Sequence, residues 1–479
     1  MEGRSLRSFL ARLEEIGELK RVKTEVFPDE IFSLQWKLFD AAGPAVVFES
    51  VKGSNLPIVV NVFGTRDRLA MACSFPRGKR HIDYRNMYVE KIVNKNAWLK
   101  PKLVATGPCK EVVLRGDEAT FSRLPVFKWH PSDAGPYITL PASIIKDAKF
   151  GTNVGTYRMM IHDDKTSGIM CNTFQHQGIY LNRAARAGKE AMACAIALGA
   201  PPSIYVSSVT SLELNDDEMQ LSGALSGEPI EVVKGETCDL EVPAHTEIVL
   251  EGEISTTARK VEAPFAEYEG YHEEPMLLPV FTLNCITMRR DAMYQMTTAD
   301  KEGEVLRDIS VQSKVFLELK KSVTGFVDCW SPPSGHGYTL VVAIKKYFPG
   351  WGQQAIHQII GVPFVNALVN CVIVVDDGID PSDTEQWIWA LSTRVDPFYD
   401  VMITRPSQVY PLNPAARAQA STSPATNADF LLCSKMGIDA TLKGPEERPT
   451  RGSITPVRLP KEVLARVEQR WVELGFGNL

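Results

Sequence analysis

The sequence predicts a multidomain α+β and α/β fold, and three features of the chain predict it. Residues 140–300 carry many short strand signals between turn residues and few helical ones, which suggests a barrel or sandwich-like unit. From about residue 305 strands and helices alternate, and two strand runs are apolar almost throughout, the mark of a sheet covered on both faces. Ahead of both, a capped helix and short β-rich runs make an N-terminal α/β segment. The expected division is 1–115, 116–300, 305–455 and a last helical segment over 456–479.

Ser5 should cap a first helix that carries Leu6, Phe9, Leu10, Leu13 and Ile16 on one face and stops at Gly17. Short strands are expected in Ala45-Val-Val-Phe48, Pro57-Ile-Val-Val-Asn61 and Lys110-Glu-Val-Val-Leu114. Proline and glycine punctuate residues 127–140, so Trp129-His-Pro-Ser-Asp-Ala-Gly-Pro136 reads as a loop. In the middle, Ser203-Ile-Tyr-Val206, Thr246-Glu-Ile-Val-Leu-Glu251 and Pro279-Val-Phe-Thr-Leu-Asn284 read as strands, and 181–197 as the one helix. In the last third, Tyr338-Thr-Leu-Val-Val-Ala-Ile344 and Cys371-Val-Ile-Val-Val375 should be strands of a largely parallel sheet. Residues 351–360 would be the crossover helix between them, and 383–393 a helix after the second. The polar stretch 413–426 reads as a loop, and 461–474 as an amphipathic helix with Val463, Leu464, Val467 and Trp471 on its apolar face.

A chain of 479 residues holds roughly two to four domains and buries a large core unaided. The formal charge of −6 and a pI near 5.9 argue against nucleic-acid binding, which needs a basic footprint. The nine cysteines are scattered and form no Cys-x-x-Cys pair, so reduced thiols are expected in place of a disulfide or zinc framework. No secretory h-region and no long apolar run is present, which predicts a cytoplasmic protein with no membrane span.

The residues that could carry chemistry are few. Glu262 and Glu267 flank Ala-Pro-Phe-Ala, and Pro264 places them at a strand end or loop, not on a continuous helix. Arg158, after Tyr157, could pin one acid and tune another. The plain alternative is a solvated acidic loop, since Glu251, Glu253, Glu269, Glu273 and Glu274 crowd the same region. Asn153, His176 and Glu231 offer amide oxygen, imidazole and carboxylate, a set suited to Mn²⁺ or Mg²⁺ more than to a thiolate metal, but spacing alone does not join them. No dinucleotide or Walker glycine motif is present. Gly223-Ala-Leu-Ser-Gly227 and Lys345-Lys-Tyr-Phe-Pro-Gly350 read as turns, and the acids of Val375-Asp-Asp-Gly-Ile-Asp380 fit turn and capping chemistry.

Taken together these strings resemble the UbiD-type decarboxylases, which use prenylated flavin mononucleotide. The resemblance rests on Asn153-x-Gly-Thr-Tyr-Arg158, Gln175-His176, Gly227-Glu-Pro-Ile-Glu-Val-Val-Lys234, Glu262-x-Pro-Phe-x-Glu267-x-x-Gly-Tyr271, Val374-Val-Asp-Asp-x-Ile-Asp380 and Ser434-Lys-Met-Gly-Ile-Asp-Ala440, in the family's order. It implies a central split β-barrel carrying the flavin and a C-terminal α/β domain that drives oligomerisation, with the last helix packed on a neighbouring subunit. It makes Asn153, His176 and Glu231 ligands of Mn²⁺ or Mg²⁺, with K⁺ as a further ion, and lines the flavin with Thr156, Tyr157, Arg158, Asn172, Thr173, Phe174, Gln177 and Gly178. Arg158, Glu262 and Glu267 become a catalytic network with Glu267 the proton donor. Departures are Ala263 and Ala266, where the family often has glycine, and Gly378, where it often has an acid.

The reaction implied is reversible, non-oxidative decarboxylation of an aromatic, heteroaromatic or α,β-unsaturated acid, by a homo-oligomeric dimer or hexamer that depends on a flavin prenyltransferase. Loss of CO₂ from such a carbon needs an electron sink that side chains do not offer. The rival readings are a split-barrel flavin oxidoreductase, for which no nicotinamide site is visible, and a non-catalytic subunit of a carboxylase complex, which would be expected to have lost one of Arg158, Glu262 and Glu267.

Overall fold

A computed structural model describes residues 5–262, 264–272, 275–297, 302–410, 412–418, 431–447, 457 and 459–477. The first helix is Leu6–Glu15; Ser5 accepts the backbone N–H of Ser8, and Leu6, Phe9, Leu10 and Leu13 are buried. Gly17 ends it at φ 75°, a left-handed conformation that glycine takes without strain. Leu19–Val22 then pairs parallel with Ala45–Phe48, which pairs antiparallel with Ile58–Val60. The fourth strand of this sheet, Tyr294–Gln295, comes from the far end of the central region. One apolar cluster accordingly runs from Leu6 and Val59 to Ala195, Tyr205 and Val249, so the N-terminal segment and the central sheet fold as one body.

The central sheet has seven strands. Their order is Thr166–Gly168, Met276–Met288, Ile248–Glu262, Ala191–Leu198, Ala142–Asp147 and Gly151–Thr156, with Val112–Arg115 pairing beside Met276–Met288. Every pairing in it is antiparallel. Among the described residues no pairing joins Gly151–Thr156 to Thr166–Gly168, so the sheet stays open and no closed barrel forms. The strands expected around 246–251 and 279–284 are present, extended to fifteen and thirteen residues.

Three sequence readings of this region are corrected. The helix expected over 181–197 is two elements, the helix His176–Arg186 and the strand Ala191–Leu198. Gly188, at φ 77°, breaks the chain between them, and burial in the sheet overrides the helix propensity of the alanines. Ser203-Ile-Tyr-Val206 is not a strand but lies in the helix Pro202–Ser208, every residue of which is buried. A short apolar run carries no periodicity that separates a buried strand from a buried helix. Gly223-Ala-Leu-Ser-Gly227 is the end of a further helix, Glu218–Ser226, and Gly227 is its left-handed cap.

The long helix Glu302–Ser322 leads into the C-terminal sheet. Its order is Phe326–Trp330, Thr339–Ile344, Cys371–Asp376, Met436–Asp439 and Val401–Ile403. The three central strands are parallel, but both edge strands run antiparallel, so the sheet is mixed and not largely parallel. The crossover helix is Trp351–Ile360, and Asp383 caps Thr384–Arg394, as the sequence indicates. Of the loop expected over 413–426, residues 417–418 form a strand against Leu431–Cys433, and 419–426 lie outside the described residues. The last helix, Lys461–Gln469, leaves Val463, Leu464, Val467 and the following Trp471 exposed. No helix among the described residues is long and apolar enough to cross a membrane.

Candidate active site

Two groups of side chains meet at opposite ends of the short segment from Asn153 to Arg158. Asn153 sits on the strand Gly151–Thr156, almost fully buried. Its Nδ2 donates to Glu218 Oε1 at 3.2 Å, and the N–H of Val154 donates to Glu218 Oε2 at 3.0 Å. His176, the first residue of its helix, places Nδ1 3.7 Å from the same Glu218 oxygen. Burial pushes the Glu218 carboxyl up, while His176 and the Val154 N–H pull it back. Asn153 Oδ1 is buried without a hydrogen-bond partner. An orphaned amide oxygen beside an imidazole and a buried carboxylate is the donor set a hard divalent ion takes.

Glu231, expected in this group, does not join it. Its carboxylate is held by His245 Nε2 at 3.0 Å and Lys102 Nζ at 3.2 Å, and these two partners, His245 first, hold its carboxyl below the usual range. It lies on the strand Glu231–Lys234 of a separate three-stranded sheet. The acid that faces Asn153 and His176 is Glu218, which the sequence reading passed over. Behind the capping Asp217 and ahead of an apolar helix, an acid reads as first-turn helix chemistry, so nothing local marks Glu218 as a ligand. Among the described residues no three His, Cys, Asp or Glu side chains gather as a metal would need, here included, so an ion at this point needs the Asn153 oxygen.

At the other end of the segment, Arg158 Nε donates to Glu262 Oε1 at 2.7 Å, and Nη1 contacts Glu267 Oε1. All three side chains are buried, Glu262 to 1% exposure. The loop explains the geometry. Ile248–Glu262 ends at Glu262, Pro264 follows within two residues, and Ala266 bridges His272 antiparallel. Glu267 N–H donates to Tyr271 C=O at 3.0 Å, and Gly270 turns the chain at φ 80°. The solvated acidic loop is therefore excluded for these acids. Glu251 and Glu269 of the same stretch are buried as well, while Ala263, Glu273 and Glu274 lie outside the described residues. The Phe265 ring covers the Arg158 guanidinium at 4.9 Å and packs on Tyr137 at 4.6 Å, which keeps water from the ion pairs.

The residues between and around these groups form a cradle. Thr156 Oγ1 pairs with Ser208 Oγ at 2.7 Å. The Tyr157 ring folds back against Gly155, where an added Cβ would lie 2.3 Å from it. Gln175 Oε1 accepts the Asn172 N–H at 2.7 Å and closes the loop over the first turn of the helix. Gly178 belongs there because a Cβ would fall 2.1 Å from the Asn172 carbonyl oxygen. Asn172 Nδ2 is buried without a partner, Gln177 accepts from Ser143, Thr173 is exposed, and the half-exposed Phe174 edges Tyr410 at 6.2 Å.

Family models match almost the whole chain. Residues 10–82 match the N-terminal domain of 3-octaprenyl-4-hydroxybenzoate carboxy-lyase, 102–302 its Rift-related domain and 306–440 its C-terminal domain. The chain belongs to the UbiD family of carboxy-lyases. Similar structures span both chains. The UbiD-class enzyme HmfF from Pelotomaculum thermopropionicum in complex with FMN is 32% identical at TM-score 0.81, over 95% of this chain and 97% of that one. An evolved dimeric form of that enzyme in complex with prFMN is 30% identical at TM-score 0.77, over 96% and 98%. The vanillic acid decarboxylase of Sedimentibacter hydroxybenzoicus in closed form is 29% identical at TM-score 0.85, over 98% of each chain. As UbiD domains, the three matched segments account for an open antiparallel sheet between two α/β units.

Proposed function

We propose that this UbiD protein catalyses reversible, non-oxidative decarboxylation of an aromatic, heteroaromatic or α,β-unsaturated carboxylic acid with prenylated FMN. The observation that carries the reading is one buried arginine between two buried carboxylates, Arg158 with Glu262 and Glu267. Family relatives in complex with FMN and prFMN support the choice of cofactor. The residues present fit it: the helix beginning at His176 offers an N-terminus to a phosphate, and Asn172 Nδ2 and Asn153 Oδ1 are buried polar atoms awaiting partners. Asn153, His176 and Glu218 would hold a Mn²⁺ or Mg²⁺ ion, which would supply positive charge to the cofactor phosphate, and K⁺ would be a further ion. The open seven-stranded sheet takes the part of the flavin-binding split barrel.

When bound, the flavin supplies the electron sink for the pair left on carbon as CO₂ departs. Arg158 orients the substrate carboxylate through its planar fork and keeps Glu262 ionised. Glu262 in turn fixes the guanidinium plane. Glu267, on the tight 266–272 turn, delivers a proton to the carbon that has lost its carboxylate and takes one back in the reverse direction. Phe265 and Tyr137 shut out water, which would otherwise compete as proton source. The proposed assembly is a cytoplasmic homo-oligomer supplied by a flavin prenyltransferase.

The test is expression with and without a flavin prenyltransferase, followed by a screen of carboxylic acids for CO₂ release. Cofactor-dependent release from at least one acid is expected, together with a visible spectrum that changes with the prenyltransferase. Turnover of NADH on ordinary FMN, with no CO₂ from any acid, would replace this reading with an oxidoreductase.

A further inference from the structure

Among the described residues the guanidinium of Arg307 has neither a hydrogen-bond acceptor nor an ion-pair partner. It stands on the long helix Glu302–Ser322, half-buried, 4.5 Å from the Tyr268 ring and 5.9 Å from that of Tyr410. Arg85, Arg158, Arg183 and Arg394 also lie over aromatic rings, and each of them has a carboxylate within ion-pair distance besides. Arg307 has the rings and lacks the acid. Arginine stays charged at physiological pH and holds its N–H donors in a planar fork. A sheltered fork without an acceptor is costly unless water or a ligand oxygen meets it.

The surroundings put this fork in the cleft where the substrate would lie. Tyr268 follows Glu267 on the same turn, and its ring carries the guanidinium. On the other side, the Tyr410 ring lies 6.2 Å from Phe174, in the loop over the His176 helix. Glu267, Tyr268, Arg307, Tyr410 and Phe174 thus follow one another from the proposed proton donor to the proposed flavin cradle. Gly337 leaves the fork open on the side of the C-terminal domain, since a Cβ there would lie 3.6 Å from Nη1. The buried Tyr268 hydroxyl faces Glu269 and Tyr338 without a well-formed hydrogen bond to either. Glu269 faces Arg307 from beyond ion-pair distance and accepts the Tyr338 hydroxyl at 3.0 Å. Burial holds its acid up at about 7, so it is only a partial countercharge.

We propose that Arg307 is a specificity-determining residue that binds a second anionic group of the substrate, a carboxylate or a phosphate, besides the carboxylate held by Arg158. The fork offers such a group two parallel N–H donors, Tyr268 fixes its plane, and the Tyr268 hydroxyl is a further donor. A neutral hydroxyl would leave the charge unmatched. The proposal rests on the decarboxylase reading for the fate of the substrate, whereas binding at Arg307 is measured without it.

The experiment compares benzoate with its meta and para hydroxyl, carboxyl and phosphonooxy derivatives, by calorimetry on the full chain co-expressed with a flavin prenyltransferase. One class of dianion should bind at least about tenfold tighter than benzoate, and the class that does so separates carboxylate from phosphate. Arg307→Gln should weaken that dianion by about tenfold to a hundredfold and benzoate by less than about threefold. Arg307→Lys, which keeps the charge without the fork, should fall between, with thermal melts checking that each variant folds. In turnover the loss should appear in KM for the dianion. A structural cation would weaken every acid alike, and that result overturns the proposal. So does the absence of a dianion preference, a preference that survives in Arg307→Gln, or tighter binding of the hydroxy acids than of both dianions. Binding as expected with no CO₂ from any acid leaves the subsite standing and removes only the decarboxylase reading. CO₂ release without a dianion preference does the reverse.

Discussion

Arg158 illustrates how much chemistry one side chain gathers. It meets Glu262 and Glu267 and lies under Phe265, so charge, planarity and stacking all bear on it. Lysine keeps the charge and loses the fork. A hydrogen bond to a charged group is worth about 1.5–3 kcal/mol, so Arg158→Lys should stay folded while kcat/KM falls roughly tenfold to a hundredfold. Parental activity in the lysine variant would reduce Arg158 to a structural cation. Glu267→Gln keeps the shape and removes the proton, and steady-state assays should find turnover down by about 10²–10⁴ with the cofactor retained. Turnover above about a tenth of the parent would take Glu267 out of the mechanism. The proposed ligand set takes Glu218 in place of the Glu231 expected from sequence. His176→Ala and Glu218→Ala should lose metal and flavin together on purification, whereas Glu231→Ala should keep both, because its partners are His245 and Lys102. Metal analysis beside the flavin spectrum decides between them.

At the scale of elements, the loop over the His176 helix depends on a residue with no side chain. A methyl group at Gly178 would meet the Asn172 carbonyl at 2.1 Å, a backbone atom with little room to move. Gly178→Ala should therefore cost about 1–3 kcal/mol, with a lower melting temperature and weaker flavin retention. A melt equal to the parent would mean that the loop relaxes freely. The elements that sequence reasoning places well are those with strong local signals: the Ser5-capped helix, the two apolar strands of the C-terminal sheet, the crossover helix between them and the strand end at Glu262. Those it misplaces, Ala191–Leu198 and Pro202–Ser208, are short buried runs whose conformation is set by what they pack against. Glu218, the acid that faces Asn153 and His176, was passed over for a related reason. Glu218 opens a helix behind a capping aspartate, where an acid is ordinary, and only the fold turns it toward Asn153.

At the scale of the whole molecule, two features look outward or await a charge. The helix Lys461–Gln469 presents Val463, Leu464, Val467 and the adjacent Trp471 to solvent. A row of this kind is unfavourable in an isolated chain and fits the proposed oligomer. Val467→Glu combined with Trp471→Glu should lower the assembly mass in sedimentation without altering the flavin spectrum; an unchanged mass would free this helix from the interface. Lys435 is buried to 1% exposure with no partner for its Nζ, and burial lowers its ammonium to about 8. The folded state then binds fewer protons than the unfolded one above that pH, so this lysine makes stability rise between about pH 8 and the unfolded lysine value. Lys435→Met should abolish that rise in pH-dependent melts, and a retained rise would assign it to another group.

By itself the sequence determined the family, the carboxy-lyase class and the residue types of the Arg158, Glu262 and Glu267 group, because these reside in local strings whose order is written along the chain. It also fixed the elements with a cap, a proline or an unbroken apolar period, since neighbours in sequence decide those. The tertiary structure decided which carboxylates share a site. Glu218 and not Glu231 reaches Asn153, Glu262 and Glu267 are buried where an acidic loop could have been solvated, and Glu269 meets Tyr338 from another domain. Contacts between residues tens to hundreds of positions apart depend on packing and burial, and no local pattern encodes them.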